Sequence, residues 1–137
     1  MKRSPALLVC ATILVGAGLT ACSSDSNEGM VGGPSVCDDA TITKAVQSAL
    51  DADGEGMKVF ALDGLTCADG WAVAMPTIGT EEANAITVTD VFQAEGQFWI
   101  PKDRAAVCGT QDMNDPSKYP SDAQIPESLY DEGCNTN

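Results

Sequence analysis

Thiols and carboxylates are the groups of this chain that could do chemistry. It carries six cysteines and 20 aspartates and glutamates, and it has no histidine. The missing imidazole removes the commonest general base and metal ligand, and it excludes any Ser-His-Asp or Cys-His device. What remains for the thiols is acylation or pairing. What remains for the carboxylates is cation binding or acid/base work in pairs. With so many acids, some pair will fall at a hydrolytic spacing by chance, so a small carboxylate-based envelope hydrolase stands only as an alternative, with no catalytic residue to name. The expectation is a protein that is no enzyme and takes no cofactor.

Cys22 closes a distinctive stretch. Lys2 and Arg3 give a positive start, Ala6 to Gly18 form an uncharged apolar run, and Leu19-Thr20-Ala21-Cys22 follows. These residues resemble a bacterial lipobox. The resemblance implies a signal peptide over 1–21, and a Cys22 that is diacylated on sulfur and becomes the N-terminus after cleavage. Cys10 would leave with the leader. Two alternatives fit these residues less well. Ordinary secretory cleavage wants small residues at both flanking positions, and Leu19 is bulky there. A retained span wants about 20 apolar residues, for which the Ala- and Gly-rich run from Pro5 to Ala21 is marginal. The expected address is the extracytoplasmic side of the cell membrane.

Loss of Lys2 and Arg3 leaves five basic residues (Lys44, Lys58, Lys102, Arg104, Lys118) against all 20 acids, a net charge of −15. Such a surface repels phosphate polymers and anionic headgroups, so nucleic acid is not a partner and the membrane must be held through lipid. One acyl chain holds weakly and two hold stably, as acyl chains on Cys22 would. Residues 22–36 have little to bury and read as a lipidated flexible tether, with a span of roughly 20 Å.

Residues 37–137 read as a single domain. Cys37, Cys67, Cys108 and Cys134 are an even set in an exported chain, which suggests two disulfides. Three connectivities are open. Cys37–Cys67 with Cys108–Cys134 is favoured because it staples each half. A four-cysteine zinc site would want paired C-x₂₋₄-C spacings, which are absent.

The elements that must position these residues follow from periodicity. After Asp38 and Asp39, the apolar positions Ile42, Ala45, Val46, Ala49 and Leu50 recur at helical spacing, and Gly54 and Gly56 stop the helix. Strands are expected at Met57–Leu62, Trp71–Ile78, Ile86–Ala94 and Gln97–Ile100, with turns at Asp63-Gly64, Asp69-Gly70 and Glu95-Gly96. Pro76 marks an edge or a strand end. Thr80 to Asn84 is an acidic connection, and Asp103–Cys108 extends the sheet as a last strand. Thr110 to Gln124 is a surface loop, and a short helix from Ile125 to Tyr130 is stopped by Gly133. The fold class is α+β: an N-terminal helix packed on one face of a small antiparallel sheet, stapled by two disulfides.

Two groups of contact candidates emerge. Asp51, Asp53 and Glu55 alternate ahead of Gly56 like the opening of an EF-hand loop, but Leu62 stands where its bidentate glutamate belongs. A solvated turn is the favoured reading and a calcium-dependent module the alternative. Phe98 and Trp99 are adjacent on a strand and so point to opposite faces. Both rings are expected buried, one under the helix and one under the C-terminal loop. An exposed ring would mark contact with an envelope protein or a peptidoglycan fragment. Trp71 is expected in the core.

The order Cys37, helix, Cys67-Ala68-Asp69-Gly70-Trp71-Ala72-Val73-Ala74, Gln97-Phe98-Trp99, Cys108-Gly109, then Ile125-Pro126 with Leu129 before Cys134 resembles small exported domains and lipoproteins of actinobacteria. The resemblance rests on structural positions and implies no active residues. The expected function is that of an envelope lipoprotein acting as a binding or structural module.

Overall fold

A computed structural model describes residues 35–135. The expected signal peptide, the anchor Cys22 and the tether up to Pro34 lie outside the described residues.

The fold is α+β. Helix α1 (Asp39–Asp53) precedes strands β1 (Lys58–Ala68), β2 (Trp71–Gly79), β3 (Ile86–Thr87), β4 (Asp90–Glu95) and β5 (Phe98–Lys102), and helices α2 (Arg104–Val107) and α3 (Glu127–Cys134) follow. The sheet is antiparallel throughout and ordered β1-β2-β4-β5, with β3 beside β2. Strands β1 and β5 are therefore its edges.

Asp38 starts α1 by accepting a hydrogen bond from the Thr41 amide at 2.7 Å, and Gly54 ends it in the left-handed conformation, its amide bonded to the Leu50 carbonyl. This is the N-cap and C-cap chemistry that the acidic start and following glycine supply. Gln47 then clamps the next strand, donating to the Met57 carbonyl and accepting from the Val59 amide. Asp69 (φ 50°) and Gly70 (φ 77°) join Ala68 to its partner Trp71, as a two-residue hairpin turn requires.

Both faces of the sheet are covered, where a single helix layer was expected. On one face Ile42 and Val46 of α1 pack on Ala72, Ala74, Ile78, Phe92 and Trp99. On the other, Ile125, Leu129 and Tyr130 pack with Val107 on Trp71, Val73 and Val91. Trp71 to Ala74 are four consecutive buried residues, the pattern of a strand sandwiched between layers. Two disulfides are formed, Cys37–Cys67 and Cys108–Cys134. The first ties the entry of α1 to the end of β1, the second ties the end of α2 to α3.

Several elements depart from the sequence expectation for identifiable reasons. Asp63-Gly64 does not turn the chain: β1 runs through it with a register shift between Leu62 and Leu65. That bulge lies across from Met75 and directly follows the pairing of Leu62 with Pro76, which lacks an amide hydrogen, and on the other side of β2 the neighbour changes from β4 to β3. Proline is thus tolerated inside the sheet because the ladder is interrupted on both flanks. The expected strand Ile86–Ala94 is split for the same reason, and Val88 bonds the Pro76 carbonyl. Asp103–Cys108 is a helical turn, because the Asp103 carboxylate caps the Ala105 amide at 2.9 Å. Gly133 does not stop α3 but lies buried within it, where an added Cβ would meet Ile125 Cδ1 at 2.7 Å. The domain is also ordered before Cys37: Ser35 bonds the Gly96 and Phe98 carbonyls, and Trp99 Nε1 donates to the Val36 carbonyl at 2.9 Å.

Candidate functional site

Strand pairing decides the placement of the two adjacent aromatics. Trp99 lies opposite Ala94 and Phe98 opposite Glu95, so the rings take opposite faces of β5. The Trp99 ring is buried under α1. Phe98 is 61% exposed, contrary to the expectation that both rings are buried. The second layer is centred elsewhere: α3 packs chiefly on β1 and β2.

Phe98 belongs to a trough of about 470 Å³ between α1 and β5. One wall is a helical stripe, Thr41, Lys44, Ala45, Ser48 and Ala49. The other is Gln97 through Pro101, five consecutive residues. Side chains of a strand alternate between faces, so a surface lined by every successive residue is the strand's edge, with its backbone. Ala45 and Ala49 are short and leave the trough open. Lys44 is the one charged residue lining it. Among the described residues no further strand pairs with β5 from Phe98 to Lys102, and such an edge beside short alanine side chains can accept an extended chain, whose backbone pairs with the edge and whose alternate side chains enter the trough. Pro101 offers only a carbonyl, which limits the pairing at that end.

Sequence reasoning placed Ala45 and Ala49 in the helix's buried stripe and missed that they form its margin. The signal was present: the apolar stripe of α1 is wider than Ile42 and Val46 alone need, and it is flanked by the small polar residues Thr41 and Ser48.

The other candidates do not come together. Asp51 and Asp53 belong to the last turn of α1 and Glu55 follows its cap, all three exposed. Asp51 accepts from Gln47 Nε2 at 2.9 Å. Among the described residues no group of three carboxylates or thiols is arranged to hold a metal ion.

Among the described residues three carboxylates have shifted affinities for protons. Asp38 and Asp122 are held below the ordinary carboxylate range, by hydrogen bonds from Thr41 and from Thr110 respectively. Asp90, at the start of β4, is pushed up by burial, which the Arg104 guanidinium only partly opposes. Arg104 in turn donates through Nε to the Gly133 carbonyl at 2.8 Å, which links α2 to α3. These are internal ties of the C-terminal half.

The chain matches no protein-family model, no curated protein and no solved structure.

Proposed function

We propose that this protein is a binding module of the bacterial cell envelope, anchored on the extracytoplasmic side of the membrane through acyl chains on Cys22, that engages an envelope protein through the α1–β5 trough. The domain displayed would begin with α1 as its N-terminal helix. The lipobox-like Leu19-Thr20-Ala21-Cys22 supports the anchor. Two disulfides fit an oxidising compartment. Among the described residues no helix is long and apolar enough to cross a membrane. A net charge of −15 in residues 22–137 leaves lipid as the means of adhesion.

One observation carries the binding reading: among the described residues, a sheet edge that no further strand pairs with runs beside the short Ala45 and Ala49 side chains of α1 and an exposed phenylalanine. A partner that adds a strand there gains backbone hydrogen bonds for affinity and side-chain pockets for specificity.

A photo-crosslinking residue in place of Phe98, with a control in place of the 95% exposed Met113, tests the contact in living cells. The expected result is one discrete protein adduct from position 98, none from 113, and loss of the adduct when Ala49→Trp fills the trough. Equal labelling from both positions would sink the reading. The anchor is tested separately by intact mass: a diacyl increment that Cys22→Ala removes supports it, and an unmodified Cys22 rules it out.

A further inference from the structure

The chain enters the domain at the mouth of the α1–β5 trough, which bears on how the contact proposed above is regulated and, to that extent, rests on it. Ser35 is held by the β4–β5 turn: its amide donates to the Gly96 carbonyl at 3.1 Å, and its hydroxyl lies 2.9 and 3.1 Å from the carbonyls of Gly96 and Phe98. Ser35 thus stands across from Gln97, where the β5 wall of the trough begins. The Val36 carbonyl then accepts from the Trp99 indole, and Cys37 is bridged to Cys67 on β1, at the opposite edge of the sheet. From Ser35 onward the chain runs inward from β5, so it reaches Ser35 from outside the β5 edge.

An antiparallel continuation of this contact along β5 has a fixed register. With Ser35 across from Gln97, Pro34 falls opposite Phe98, Gly33 opposite Trp99 and Val31 opposite Pro101. The backbone groups match. Glu95 and Phe98 close a two-residue turn, so Phe98 and Ile100 bond toward β4 while Trp99 and Pro101 turn their groups outward. Pro34, with no amide hydrogen, falls opposite Phe98, whose groups are already taken. Gly33 can exchange both bonds with Trp99, and Pro101 needs only a donor, which Val31 has. The side chains match too, because opposed residues share a face. Gly33 leaves the Trp99 ring uncrowded, Val31 enters the trough beside Ala45 and Ala49, and Pro34 lies against the exposed Phe98 ring. At about 3.3 Å per residue, residues 31–34 match the length from Phe98 to Pro101. Residues 29–34 carry no charge, so none is drawn into the trough.

We propose that residues 31–34 add an antiparallel strand to the β5 edge in this register, and that a partner must displace this strap to reach the trough.

The test follows hydrogen exchange of the Trp99 amide by NMR in the isotope-labelled whole chain. The strap should protect that amide. Gly33→Pro, which removes the donor to the Trp99 carbonyl, should quicken its exchange about tenfold, as loss of one net hydrogen bond would. Val31→Asp, which brings a charge beside Ala45 and Ala49, should act in the same direction, and Asn27→Pro, outside the register, should leave the rate unchanged. Fast exchange at Trp99 in the native chain overturns the proposal, and so does protection that survives both Gly33→Pro and Val31→Asp. Protection that grows with protein concentration makes a second copy of the chain the occupant, and overturns it too. Displacement is read in cells: Val31→Asp should raise the yield of the crosslinked adduct from position 98, because emptying the trough enlarges the fraction competent to bind. An unchanged yield overturns the displacement step. No adduct from either protein overturns the contact site instead, and Trp99 exchange alone then decides the strap.

Discussion

Asp90 is the residue whose charge state the fold opposes. Its ordinary value of 3.8 is raised chiefly by burial, with the Arg104 charge acting in the other direction. A carboxyl whose folded value is raised contributes stability that is full below the unfolded value and is lost as pH rises through the folded one. Asp90→Asn should therefore gain on the native protein as pH rises above about 4, and the two should differ least at pH 3. Thermal melting of both proteins at pH 3, 5 and 7 checks this, and a gap that does not change with pH would remove burial as the cause. Asp122 has the opposite sign. Its bonds from the Thr110 amide and hydroxyl hold it down, so its contribution is present above the unfolded value and is lost as pH falls through the folded one. Thr110→Val should make the melting temperature less sensitive to acid.

At the scale of elements, the C-terminal half depends on close approach more than on area. Gly133 lets α3 sit against Val73 and Ile125, at 3.0 and 2.7 Å from where a Cβ would stand. Overpacking costs ~1–3 kcal/mol while alanine gains ~1 kcal/mol in helix propensity, so Gly133→Ala should lose roughly 1 kcal/mol in urea unfolding. Ile125 is fully buried and has no room to turn aside. The Cys108–Cys134 bridge spans 26 residues, most of them the exposed loop between α2 and α3. Replacing both cysteines with serine should cost about 3 kcal/mol. The loss should be local: hydrogen exchange should quicken in α3 and the preceding loop, while α1 and its partner strands keep their protection. Uniform loss of protection would mean that the two faces of the sheet unfold as one.

Charge dominates at the scale of the whole molecule. A chain at −13 overall, and −15 after the expected cleavage, repels itself when folded. Raising sodium chloride from about 0.02 to about 0.5 M should therefore raise the melting temperature, because screening shortens the reach of that repulsion. An unchanged or falling temperature would show that the acids are already balanced by local bonds such as those to Asp38 and Asp122. The pair Lys102–Glu95, at 2.8 Å and largely exposed, is too solvated to set the trend.

The sequence by itself determined what depends on local chemistry. Asp38 as a cap, Gly54 as a stop, Asp69-Gly70 as a hairpin turn and the period of α1 are all encoded within a few residues, and so was the α+β class with two disulfides. Tertiary structure alone decided what depends on neighbours distant along the chain. Asp63-Gly64 has the composition of a turn, yet it is a bulge inside a strand that β2 holds on both sides of it, Leu62 pairing with Pro76 and Leu65 with Ala74. Gly133 has the composition of a stop, yet it is a contact because Val73 and Ile125 press on it. Trp71 to Ala74 are buried on both faces of their strand, and the second layer that buries them comes from α3, more than fifty residues later. The trough was least legible of all. Whether Phe98 is covered depends on where the second layer is centred, and whether β5 is an edge depends on strand order, which no short stretch of sequence specifies.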